Sequence, residues 1–207
     1  MKKVLLTMTV ALLAVAGAQA QTSWGLKGGV NLGKYSNVDG ASNNTSFHVT
    51  GFADLPLSEQ FSIQPGVSLQ GKGMKFESKL ADIASSKTTR NVMSVEIPVN
   101  AVYYIPAGSG DFFIGAGPYI GFNVSGKDKY KNTVGSGSNE TDKKLKFSGD
   151  NKDLNLIDAG ANFLLGYKLE NGLLINGGYN LGLTNLVPKA ADKVSNRVWS
   201  FGIGFQF

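Results

Sequence analysis

Cysteine is absent from this sequence, and histidine occurs once, at His48. No disulfide can staple the fold, and no thiolate can act as nucleophile or metal ligand. Ordinary zinc sites, which draw on several His and Cys side chains, are excluded with them. Long apolar runs are missing after residue 20. A membrane helix needs about 20 such residues, so a chain of this kind spans a bilayer only as a closed barrel. Concentrated charge of one sign is also lacking. Lys and Arg number 20 against 15 Asp and Glu, a net charge of +5. A nucleic-acid footprint requires a basic cluster on one face, which a mild excess does not supply. Gly115 and Gly117 form no dinucleotide fingerprint, because they lie inside a strand-like run and open no helix.

What is present is alternation. In the last ten residues Trp199, Phe201, Ile203, Phe205 and Phe207 fall on odd positions, and Ser200, Gly202, Gly204 and Gln206 on even ones. Side chains alternate across a strand, so one face is greasy and the other nearly bare. A membrane β-barrel shows the greasy face to lipid and turns the small face inward. The terminal Phe207 also resembles the C-terminal assembly signal of bacterial outer-membrane barrels. Seven further segments alternate in the same way: Trp24–Tyr35, Thr45–Leu57, Gln60–Phe76, Asn91–Ile105, Asp111–Ser125, Asp153–Glu170 and Leu173–Leu183. Each reaches the ~9–11 residues of a tilted membrane strand. The expected fold is therefore all-β, an eight-stranded antiparallel up-and-down transmembrane barrel over residues 21–207.

At the other end, Met1-Lys2-Lys3 is a short basic start and Val4–Ala16 is apolar apart from Thr7 and Thr9. Ala18-Gln19-Ala20 is a small-x-small cleavage site. Together they predict a secretory signal peptide over residues 1–20. Removing Lys2 and Lys3 lowers the charge excess to +3 (18 against 15).

The connections alternate in length. Leu57–Glu59, Pro106–Gly110 and Asn171–Gly172 are short; Ser36–Asn44, Glu77–Arg90, Gly126–Lys152 and Asn185–Val194 are long and polar. Short periplasmic turns and long external loops are the outer-membrane pattern, and they place both mature termini in the periplasm. Trp24, Phe61, Tyr103, Phe112, Tyr167 and Phe205 are expected at the periplasmic rim. Tyr35, Phe47, Phe76, Phe122 and Trp199 are expected at the outer rim, giving two aromatic girdles. Pro65, Pro98 and Pro118 interrupt three strands and predict bulges or local thinning of the hydrogen-bond ladder.

Three segments carry a family resemblance. Ser94-Val95-Glu96-Ile97-Pro98-Val99-Asn100-Ala101-Val102-Tyr103-Tyr104 resembles the "EIP" strand of the PorT-like outer-membrane β-barrel family, a porin-family group of small barrels. Gly115–Gly121 looks like that family's next strand, and Gly177–Asn185 its penultimate one. The resemblance covers almost all of the mature chain. It implies an outer-membrane barrel of Gram-negative bacteria, some of whose relatives serve protein secretion or gliding. It implies no catalytic residues.

The candidate chemistry is sparse. A barrel-rim hydrolase would need His48 beside a serine and an acid, with Ser46, Ser94 and Glu96 in principle near; no nucleophile motif supports it. Asp150, Asn151 and Asp153 could hold calcium only weakly. No cofactor and no metal is expected. Lys27, Asp54, Glu96, Asp158 and Lys168 point inward. In a barrel barely wide enough for side chains they are expected to pair, because unpaired charge there is costly. Lys127, Lys129, Lys131, Lys143, Lys144 and Lys146 crowd the longest loop and are candidates for contact with lipopolysaccharide or another protein. The expected role is a non-enzymatic outer-membrane scaffold whose external loops bind outer-membrane lipid, lipopolysaccharide, or envelope and secretion-machinery proteins. A narrow pore for ions or small solutes is the first alternative. A soluble lipocalin-like carrier, with a greasy lumen and polar exterior, is the second.

Overall fold

The computed structural model describes residues 22–80, 84–134, 137–188 and 192–207. The signal peptide expected over residues 1–20 lies outside them. Among the described residues nine strands form: β1 (Ser23–Tyr35), β2 (Ala41–Pro56), β3 (Phe61–Leu80), β4 (Ala84–Pro106), β5 (Gly110–Val134), β6 (Gly137–Lys144), β7 (Ile157–Leu169), β8 (Leu173–Gly182) and β9 (Asn196–Gln206). All adjacent pairs are antiparallel. The order β4-β3-β2-β1-β9-β8-β7-β5-β6, with β4 also paired to β5, closes a ring of eight strands and leaves β6 outside it. The seam joins the two chain ends. β1 and β9 pair from Gly25–Gln206 to Tyr35–Asn196, and Trp24 and Phe207 exchange N–H···O bonds of 3.0 and 2.8 Å. Gly29 is required at this seam, since a Cβ there would stand 2.0 Å from the Phe201 carbonyl oxygen.

The faces follow the alternation. Trp24, Leu26, Val30, Val67, Ile97, Ile114, Phe163, Leu165, Phe201 and Ile203 are exposed outward. Asn31, Thr50, Ser68, Gln70, Asn100 and Asn176 are buried inward. A water-soluble sheet would bury the first set; only a hydrocarbon surround matches an apolar belt around a polar interior. This arrangement is the reverse of a lipocalin-like carrier.

The prolines thin the ladder without shifting it. Between β3 and β4 paired positions skip from Pro65–Val99 to Ser68–Glu96, and between β4 and β5 from Pro98–Tyr119 to Ala101–Ala116. A proline removes an N–H from a rung but adds no residue, so the register resumes unchanged. The true register irregularities lie elsewhere, at Asn43/His48 and Met93/Ser94.

Strand lengths depart most from expectation. Much of what reads as long loop is paired strand: β3 and β4 run on to Leu80 and from Ala84, and the segment from Gly126 folds into a β5–β6 hairpin. The alternation of Lys143–Ser148 in the sequence suggests an extension of the next wall strand as a hairpin; instead the hairpin partner of β5 is Gly137–Lys144, and that wall strand begins at Ile157. Beyond the hydrocarbon both faces of a strand are wet, so apolar alternation ceases while backbone pairing continues. Two girdle residues also turn inward. Tyr35 is 3% exposed, inside the wide mouth, and the Phe76 ring sits over the Gly40 turn on the face it shares with Thr88 and Tyr130.

Candidate functional site: the lumen and the projecting sheet

Two apolar clusters close the interior. Phe52, Val102, Tyr104, Phe113, Leu164 and Leu174 fill the end nearest the short turns. Tyr35, Val92, Leu145, Leu154, Leu186 and Val194 fill the opposite mouth. The strand periodicity explains the first cluster: Phe52, Tyr104 and Phe113 are large side chains at inward parity. The second draws on Leu145, Leu154 and Leu186, which lie outside the strands and fold over the opening.

Between the clusters sits an ionic knot. Lys72 Nζ lies 2.6 Å from Asp158 Oδ2 and also pairs with Glu96 Oε1, and all three side chains are sealed from solvent. Asp158 further accepts from Asn196 Nδ2 at 2.6 Å and Thr184 Oγ1 at 3.1 Å, and Glu96 from Asn180 Nδ2 at 3.4 Å. β3, β4, β7, β8 and β9 are thus tied across the lumen. Lys72 is the member sequence reading missed. It occupies the same inward parity on β3 as Gln64, Ser68 and Gln70, and extending that parity by one step would have found it.

The other inward candidates sit apart from the knot. Asp54 accepts from Gln64 at 3.0 Å and from Gln206 at 3.1 Å. Lys27 lies over the Phe52 ring, 5.4 Å from its centroid. Lys168 stands 4.5 Å over Tyr104 and 3.8 Å from Asp111. His48 Nδ1 is 2.8 Å from Asn31 Oδ1, and Asn31 donates in turn to Gln70 Oε1 at 2.7 Å and to the Gly71 carbonyl at 2.9 Å. Neither Ser46, Ser94 nor Glu96 is bonded to His48. A cavity of about 50 Å³ remains, bordered by Lys27, His48, Asn100, Asn162 and Asn176. The amide oxygens of those three asparagines have no hydrogen-bond partner. Room for a few waters follows, at roughly 10–15 Å³ each.

Above the wide mouth β3, β4, β5 and β6 continue as a four-stranded sheet. The eight residues of β6 span about 27 Å at ~3.4 Å per residue. On the side toward the lumen axis Arg90 donates to Asp128 through Nε at 2.7 Å and Nη2 at 2.6 Å. That bidentate bond raises the Arg90 pKa further. Of the loop lysines, Lys127 lies 3.5 Å from Asp142, Lys131 2.8 Å from Glu140 and Lys143 2.6 Å from Asp153. The Lys131 contact holds the Glu140 carboxyl below its usual pKa, and the Asp153 contact holds Lys143 above its own. Lys129, Lys144 and Lys146 make no ion pair among the described residues. Asp153 also accepts the Lys146 backbone N–H at 2.9 Å, so both its oxygens are engaged. Among the described residues no group of three or more metal-ligating side chains comes together.

Solved structures of similar fold are distant. The attachment invasion locus protein Ail of Yersinia pestis is 11% identical with a TM-score of 0.41, over 90% of this chain and 99% of that one. Neisserial surface protein A is 13% identical with a TM-score of 0.43, over 90% and 97%. The translocator domain of the autotransporter NalP from Neisseria meningitidis is 11% identical with a TM-score of 0.30, over 97% and 95%. None of the curated proteins matches the sequence. A family model does match, over residues 18–187, and with the closed ring and its apolar belt it identifies the chain as a member of the outer membrane protein β-barrel domain family, resident in the outer membrane.

Proposed function

We propose that the protein is a non-enzymatic outer-membrane scaffold, akin to the PorT-like barrels, that meets its partners through the projecting sheet. Residues 1–20 act as a cleaved signal peptide, and residues 21–207 form the mature barrel. Both mature termini lie in the periplasm, beside the short turns. The partners are outer-membrane lipid, including lipopolysaccharide, and envelope or secretion-machinery proteins.

The observation that carries this reading is the contrast between a filled lumen and a long exposed sheet. Two apolar clusters and the Lys72 knot leave a cavity of about 50 Å³, while β6 is exposed along its whole length. The engagement of His48 by Asn31 supports the non-enzymatic part. Single-channel recording of the barrel in a planar bilayer is the test. The expected result is a silent bilayer with folded protein present. Reproducible current steps would instead put the narrow-pore reading first.

A further inference from the structure

Strand register divides the lysines of the projecting sheet into two sets. Directly opposed residues share a face. Lys129 opposes Thr89 and Asp142, and Thr89 opposes Lys75. Lys131 opposes Lys87 and Glu140, while Lys127 opposes Lys144. Lys75, Lys87, Lys127, Lys129, Lys131 and Lys144 therefore share one face. The other face carries the Arg90–Asp128 pair, with Asp128 1% exposed, and turns toward the lumen axis. The lysine face is the outer one.

A register irregularity creates this arrangement. Low on β5 the even-numbered Phe112, Ile114, Ile120 and Val124 face outward. Between Met93 and Ser94 the β4–β5 register shifts, and Val124 and Ser125 both reach the surface. Above that point odd-numbered β5 residues face outward, which brings Lys127, Lys129 and Lys131 to the outside. On β3 and β4 the same columns hold Val67 and Leu69, or Ile97 and Val99, lower down. The lysine face is the upward continuation of the lipid-facing belt. Glu77, Glu140 and Asp142 share it and none of the three is free; Glu140 and Asp142 are taken by Lys131 and Lys127. Lys75, Lys87, Lys129 and Lys144 have no ion pair among the described residues. Lys143 belongs to the opposite face and is engaged by Asp153.

From this geometry we propose that the outer face of the projecting sheet binds the phosphate groups of outer-leaflet lipid headgroups, with Lys75, Lys87, Lys129 and Lys144 supplying the charge. The inference rests on the membrane-anchored reading and names a partner for it. Apolar side chains fix the barrel's depth; the lysines directly above them meet the anionic layer where hydrocarbon gives way to headgroups. Each lysine near such a surface is worth up to about fivefold in lipid retention at low salt.

The test uses protein purified from the outer membrane of an expressing host and reconstituted into phosphatidylcholine nanodiscs containing a minority of lipid A. Lipid A retained per barrel is measured against empty discs. Wild type is expected to enrich lipid A, less so as salt rises. Lys87→Gln with Lys129→Gln is expected to lose most of that enrichment. Lys152→Gln with Lys193→Gln, an equal charge loss at exposed residues outside the strands of the sheet, is expected to keep the wild-type level. Equal loss in both pairs would reduce the effect to net charge and overturn the proposal, as would absence of enrichment in wild type. Heat-dependent gel migration reports folding separately: a folded barrel without enrichment sinks only this inference, whereas failure to insert sinks the anchored reading itself. Should the first double variant not fold, its two single variants are read in the same way.

Discussion

Lys72 stands between two carboxylates at a point of the lumen sealed from bulk solvent. Its side chain is fully buried, as are those of Glu96 and Asp158, to within 1%. A buried pair adds little over an apolar replacement of the whole group, but removing one partner leaves charge unpaired. Lys72→Met is therefore expected to destabilise the barrel by about 3–5 kcal/mol. Urea unfolding followed by the gel shift of the folded band measures this. The triple change Lys72→Met, Glu96→Gln, Asp158→Asn should recover much of the loss. If Lys72→Met alone unfolds at the wild-type urea concentration, the knot is not what braces these strands. The knot was only half legible in the sequence. Glu96 and Asp158 stand out as acids at inward positions, but each lies on a different strand, and strand parity alone says nothing of height. Which inward charges meet across a ring depends on the stagger of the strands, and the sequence carries that only indirectly.

The β5–β6 hairpin is an element without a hydrophobic core of its own. All eight β6 residues are exposed, and the hairpin is fastened at its base by Asp153. The Lys143 ammonium and then the Lys146 N–H hold the Asp153 carboxyl below its ordinary 3.8. A depressed folded pKa gives stabilisation that is fully present above the unfolded value and disappears as pH falls through the folded one. Glu140, lowered by Lys131, acts in the same direction. Measured relative to an unstructured peptide of the same sequence, which removes the protease's own pH dependence, pepsin cleavage beside Leu145 and Phe147 should thus be slow and constant down to about pH 4 and accelerate below it. Asp153→Asn should speed cleavage throughout and flatten that rise; an unchanged pH profile in the variant would show that the base is held by something else. In the sequence the hairpin is a polar, lysine-rich stretch whose alternation over Lys143–Ser148 points to a hairpin with the wrong strand. Its strands lack the apolar alternation by which the membrane strands are recognised, since no hydrocarbon selects one of their faces. The wall strands, in contrast, follow the alternation closely: Trp199, Phe201, Ile203 and Phe205 are exposed as their odd numbers require.

At the scale of the whole molecule, the absence of cysteine becomes an experimental asset. The chain topology places three short turns and both described ends of the strand ring on one side, with the projecting sheet on the other. Ser138 on β6 and Ser109 in the turn between β4 and β5 are both exposed, and they lie at opposite ends of the barrel. With no native thiol, a single introduced cysteine is the only site a maleimide can label. Ser138→Cys is expected to react with a membrane-impermeant maleimide on intact cells. Ser109→Cys is expected to react only after the outer membrane is permeabilised. The reverse pattern would mean that the lysine face meets the inner leaflet and that the termini face outward, which removes the support for surface partners. Labelling of both sites on intact cells would mean that the chain does not close off the bilayer as a barrel. The expected orientation rests on hairpin length: outer-membrane barrels keep their short turns on the periplasmic side and their long polar hairpins outside, and here the three short turns lie opposite the projecting sheet.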